Sequence, residues 1–206
     1  ASARWRRGPI GRATTPRRMG PSTSATSTAL LDAAERVLRN EGYGAASSRR
    51  IAEEAGIKQQ LVYYYFQTMD ELLLACFRRR TERALARLEL DAASEHPVRA
   101  IWSTLSNASD GKLSFEFMAL ANHHDGVRAE VTRFVSESRR IEARAIARVQ
   151  ARTGSDDGPV TPPTISFLLP SVALKTGREA APRIDSSRTA VPSLVDWPMS
   201  ALHVPG

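Results

Sequence analysis

A single cysteine, Cys76, among 206 residues excludes an internal disulfide and leaves no thiol cluster for zinc. That usage fits a reducing compartment. Long apolar runs are also missing. The strongest, Leu72 to Phe77 and the stretch around Ile165 to Leu169, fall far short of the roughly 18 to 20 residues that cross a bilayer. No Gly-rich phosphate loop, Ser/His/Asp arrangement or paired catalytic carboxylates stand out. Twin arginines at Arg6-Arg7 and Arg17-Arg18 lack the apolar segment an export signal requires. These absences predict a cytoplasmic protein that is not an enzyme and carries no cofactor. What is present, 42% hydrophobic and 25% charged residues, suffices for a buried core.

The formal charge of +7 points to nucleic acid only once it is located. Arg4, Arg6, Arg7, Arg12, Arg17 and Arg18 supply six of those charges, and no acid precedes Asp32. Residues 1–21, rich in Arg, Gly, Pro, Ser and Thr, read as a disordered arm, with Met19 as an alternative start. Such an arm can also grip phosphate or a minor groove.

From Ser24 the periodicity is helical. Leu30, Leu31, Ala34, Val37 and Leu38 share one face, with Asp32, Glu35, Arg36 and Arg39 opposite, until Gly42 stops the helix. Ser47 is placed to cap a second, short helix with Ile51, Ala52 and Ala55 inward, because its hydroxyl can accept from an unpaired amide. Gly56 turns the chain, and a third helix spans about Lys58 to Phe66. Thr68 followed by Asp70 and Glu71 opens a long fourth helix, since a hydroxyl cap and first-turn carboxylates suit the positive end of the helix dipole. Pro97 suits a first helical position, and Asn107 to Gly111 reads as a break. Two further helices follow, Lys112 to His124 and Gly126 to about Arg152. No segment reads as a strand.

Eight of the twelve prolines fall in the last 48 residues, where each removes a backbone donor. One helix, about Pro163 to Thr176, is expected there, with Pro170 as a kink or an early end. The reading is therefore all-α in four parts: arm 1–21, helix-turn-helix head 22–70, helical body 71–176, and irregular tail 177–206.

The unit that carries function is Ser47 to Tyr65, a capped helix, an Ala-Gly turn and a second short helix. In such a motif the first helix rests across the DNA backbone and the second enters the major groove. The run from Leu30 to Leu74 extends it: AAERVL in the first helix, GYG at its stop, RRIAEEAGI through the second helix and turn, LVYYYF in the third, DELL opening the fourth. These residues together resemble the DNA-binding domain of the TetR (tetracycline repressor) family of bacterial regulators. The resemblance implies a homodimer whose heads bind a palindromic operator in double-stranded DNA, and a small-molecule effector that releases it. It assigns Ser47, Ser48 and Arg49 to phosphate, Lys58, Gln59, Gln60 and Tyr64 to base edges, and Tyr63, Tyr65 and Thr68 to the DNA backbone. Tyr63 and Phe66 could instead pack the core, and Gln59 and Gln60 could be plain surface.

Two departures stand out. Met69 occupies a position where the family usually has Lys, and the Pro-rich chain after Leu169 does not read as the last of two pairing helices. The resemblance also implies an effector pocket, for which Trp102, Phe115, Met118, His123 and Phe134 are candidates, with ordinary core as the other reading. His123, His124 and Asp125 raise the question of a metal. Adjacent histidines on a helix point about 100° apart, so no metal is expected. A ligand-responsive repressor is the leading expectation. The alternative is a helical interaction protein with a vestigial head or an aberrant C-terminus.

Overall fold

In the computed structural model, which describes residues 24–106, 111–153 and 161–180, the described chain is all-helical, with no strand. The expected arm at 1–21, most of the break at Asn107 to Gly111 and the tail from 181 onward lie outside the described residues.

Helix α1 (Ala25–Glu41) begins where Ser24, in extended backbone, accepts from the Ser27 amide at 3.1 Å. It ends at Gly42, whose φ of 84° lies in the region that favours glycine. A short 3-10 helix, Tyr43–Ala45, follows where the sequence announced only a stop. Helix α2 (Ser48–Ala55) is capped by Ser47, and α3 (Gln60–Tyr65) is shorter than the predicted Lys58 to Phe66. Helix α4 (Met69–Ala93) is capped by Thr68 and α5 (Pro97–Leu105) opens on its proline. Helix α6 (Gly111–Ala121) stops three residues before the predicted His124, and α7 (Asp125–Thr153) starts on the acid that its dipole favours.

Helix α8 (Pro162–Ala180) corrects the sequence reading most. It passes through Pro170 and past Gly177, so 177–180 are helical rather than irregular. Pro170 deprives the Ser166 carbonyl of its helical donor. Burial compensates: Ala173 is fully buried, Ile165 packs on Val98, Ile146 and Val149, and Leu169 joins the cluster around Ile101 and Ile141. Tertiary packing outweighs one missing hydrogen bond, as it commonly outweighs local propensity.

The largest core cluster unites α1, α2 and α3 with the start of α4 and with α6. Leu30, Val37, Ile51, Val62 and Phe66 meet Leu72, Cys76, Phe77, Phe117 and Leu120, and the Phe77 and Phe117 rings lie 4.5 Å apart. The head is therefore seated on the body through continuous packing rather than hung on a linker between residues 70 and 71. Two smaller clusters hold α4, α5, α7 and α8 together. No helix among the described residues is long and apolar enough to cross a membrane.

Candidate nucleic-acid interface

Helices α2 and α3 are joined by a turn that the sequence dictates. The Ser47 hydroxyl accepts from the Arg50 amide at 3.2 Å and fixes where α2 begins. At its end Gly56 takes φ 67°, ψ 30°, and the Gly56 and Ile57 amides return to the Glu53 and Ala52 carbonyls. That pairing closes a left-handed glycine cap and turns the chain. Lys58 and Gln59 then lead into α3, their carbonyls accepting from Leu61 and Val62 at 2.9 and 3.0 Å.

One face of α3 is locked inward by Val62 and, just beyond the helix, by Phe66 at 2% exposure. The opposite face is open. Lys58, Gln59 and Gln60 are exposed, as are Tyr63 at 51% and Tyr64 at 38%. Tyr65 is half-buried against the core, its ring edge-on to Tyr64 at 4.9 Å. Thr68 is exposed while capping α4 at 3.0 Å from the Glu71 amide. Met69, where the family pattern has Lys, packs on the core instead.

The sequence reading gave Ser48 to phosphate, and the structure places it differently. Ser48 is 6% exposed, and its Oγ accepts from the Gln59 amide nitrogen at 2.9 Å and the Tyr63 hydroxyl at 3.0 Å. It braces α3 against α2. Gln59 and Tyr63 are thus held in place, whereas Gln60 makes no hydrogen bond among the described residues. The three-residue spacing of Tyr63 and Phe66 left their roles open. Phe66 goes to the core and Tyr63 does not.

The charges of the head are largely consumed internally. Arg36 pairs with Glu54 at 2.8 Å, Arg39 with Glu35 at 2.8 Å, Arg49 with Glu53 at 2.9 Å, and Arg50 with Glu41 and Glu54 at 2.6 and 2.9 Å. Hydrogen bonds from Arg36 and Arg50 hold the Glu54 carboxyl below its usual range. Lys58 is the one cation of the head with no ion pair among the described residues. Arg49 projects outward at 80% side-chain exposure, so its partner Glu53 competes with any phosphate that approaches. Glu53→Gln is therefore expected to tighten DNA binding several-fold at low salt and to steepen the salt slope by about one. Fluorescence anisotropy on duplex DNA across a salt series measures both.

A joint between head and body escaped sequence reasoning. The Glu116 carboxylate of α6 accepts from the Tyr43 amide at 2.8 Å, and His124 lies 3.0 Å from the Tyr43 hydroxyl and 3.3 Å from Asp70. His124 belongs to the turn between α6 and α7, so the picture of two histidines on one helix end does not hold. Among the described residues no group of three His, Cys, Asp or Glu could hold a metal. Cys76 is fully buried, and burial pushes its thiol up to about 12.

The proposed pocket residues are also redistributed. A cavity of ≈ 530 Å³ lies among α1, α4, α5, α7 and α8, and of the five candidates only Phe134 lines it. Trp102 is half-buried elsewhere, and Phe115, Met118 and His123 are exposed. The reason is the phase of α6: Leu113, Phe117 and Leu120 form its buried stripe, which turns Phe115 and Met118 outward. Hydropathy alone cannot give phase to a helix that is apolar around much of its circumference.

An exposed polar helix set by a glycine turn on a capped partner helix defines a helix-turn-helix DNA-binding protein. Residues 30–76 match the model of the bacterial regulatory proteins of the tetR family. The transcriptional regulator BetI of Rhizobium meliloti (strain 1021) is 24% identical over 160 residues, covering 75% of this chain and 79% of its own. Among solved structures, reduced Escherichia coli NemR superposes with a TM-score of 0.72 at 14% identity, over 88% of this chain and 100% of that one. A TetR transcription regulator from Haloarcula marismortui gives 0.67 at 19%, over 86% and 95%. These likenesses show the fold. Residues 30–76 thus form a TetR-family DNA-binding domain, and the chain is a DNA-binding regulator of transcription.

Proposed function

We propose that the protein is a repressor that binds a palindromic operator as a homodimer, one head per half-site, and that a small molecule held in the helical body releases it. The observation that carries this reading is the open face of α3, where Lys58, Gln60 and Tyr64 stand exposed while Val62 anchors the helix from behind. Lys can donate to guanine O6 and N7, and Gln can pair bidentately with adenine. Arg49, Tyr63 and Thr68 flank that face and suit phosphate, with Ser47 beside them at the helix start. Tyr65, half-buried, can offer only its hydroxyl. Gln59 and Ser48 act mainly by setting the position of Tyr63. Dimerisation is supported by α8, where Phe167 and Leu168 stand 56% and 49% exposed, apolar surface that a second copy would cover.

Footprinting on the DNA upstream of the protein's own gene tests the proposal. A protected palindrome is expected, with Gln60→Ala weakening binding about tenfold and relaxing preference at one base pair per half-site. Weak retention without sequence preference would defeat it.

A further inference from the structure

The ≈ 530 Å³ cavity has a volume suited to a small molecule, within the roughly 300 to 1,000 Å³ usual for such sites. Its walls divide by chemistry. Leu88, Leu105, Phe134, Phe167 and Pro170 make it mainly apolar, whereas Arg80, Arg83 and Arg87 from α4 and Arg139 from α7 bring four guanidiniums. Against these stand, among the described residues, two carboxyl groups, Glu35 and Glu142. Glu35 is already engaged by Arg39 and Arg79 at 2.8 and 3.4 Å, with Arg83 at 3.7 Å. Arg87 is paired with Asp91 at 2.9 Å, but Arg139 forms no salt bridge among the described residues and lies 5.2 Å over the Phe167 ring. The site is thus net positive at a mainly apolar wall.

Two polar groups of α7, one helical turn apart, line the same cavity. Glu142 is 1% exposed and its Oε2 has no hydrogen-bond partner among the described residues; the Ser138 hydroxyl is buried and, among the same residues, also unpartnered. Buried polar groups left unsatisfied are costly and mark places where a partner belongs. Burial pushes the Glu142 carboxyl up to about 7, so near neutrality much of it retains a proton to donate.

Resting on the reading of the helical body as an effector domain, we propose that this cavity takes an amphipathic monoanion. Its acidic head lies toward Arg139 and the α4 arginines, its apolar body lies against Phe134 and Leu105, and Ser138 and Glu142 supply hydrogen bonds. An organic cation of the same size is excluded by the surplus of guanidinium charge, and a neutral analogue gains only the apolar contacts.

The test uses the full chain and three probes that share a ten-carbon body, decanoate, decanol and decylammonium, titrated by calorimetry below their micelle concentrations. Decanoate is expected to bind at least about tenfold more tightly than decanol, with decylammonium weakest. Arg139→Gln, a change at an exposed side chain, should remove most of the decanoate advantage and leave decanol unchanged. Ser138→Ala should weaken binding of decanoate by a smaller factor, with unchanged circular dichroism. Equal or tighter binding of decylammonium, no binding of decanoate, or indifference of decanoate to Arg139→Gln would each overturn the proposal. DNA release is measured separately. Decanoate that binds through Arg139 but does not free the operator would defeat the effector reading and leave the ligand class standing, whereas release by decylammonium would do the reverse.

Discussion

Removal of residues 1–18 is expected to weaken DNA binding by about a hundredfold or more at low salt and to flatten its salt dependence, the slope of log K against log salt falling by up to about five. The reasoning begins with the head. Residues 22–70 carry five basic and six acidic side chains. All four of the head's arginines are bound to carboxylates of the same head, leaving Lys58 without an acidic partner among the described residues. Neutralising phosphate with any of those arginines first requires breaking an ion pair, so little counterion release is available from the head itself. The six arginines between Arg4 and Arg18 face no acid in their own segment. If each meets a phosphate, six counterions leave, and the slope follows from the roughly 0.9 released per contact. Filter binding of full-length and shortened protein over a salt series gives both slopes directly. Parallel lines would mean that the arm does not touch DNA.

How much of this was legible in advance divides along a physical line. Positions set by local chemistry were readable: Ser47 and Thr68 as caps, Gly42 and Gly56 as stops, Pro97 at a helix start, because each depends only on neighbours within one turn. The exposure of Gln60 and Tyr64 followed from helical phase around Val62. What depended on distant partners was not readable. Ser48 looked like a phosphate ligand until Gln59 and Tyr63, 11 and 15 residues away, were seen to bond to it. The tie from Glu116 to Tyr43 spans 73 residues and leaves no mark in either local pattern. The pocket residues failed for the related reason that an apolar helix does not declare which side faces inward. The end of α8 was misjudged because proline's local cost was legible and the burial that offsets it was not.

The second large effect concerns Glu142 and proton linkage. Its carboxyl is buried in the cavity wall with Arg139 on the same helix, Arg80, Arg83 and Arg87 across from it on α4, Glu35 on α1, and, among the described residues, no ionisable lining residue from α5 or α8. Desolvation raises its folded pKa to about 7 against the nearby charge of Arg139, which pulls the other way. Because the native state holds this proton more tightly than the unfolded chain, stability must fall as pH rises from about 4.5 to about 7. Above that window the native protein carries a buried carboxylate at a cost of about 3 kcal/mol. Glu54 and Glu130 have folded pKa values lowered by their arginine partners and contribute in the opposite sense, losing stability as pH falls, so the total curve mixes both. Comparison with Glu142→Gln isolates the one group. At slightly alkaline pH the variant should be more stable by about 3 kcal/mol, and the advantage should vanish below about pH 4.5, where the native carboxyl is already neutral. Urea denaturation of both proteins across that range reads the difference. A gap of constant size at every pH would show that Glu142 is not desolvated and that the cavity wall is wetter than its geometry implies.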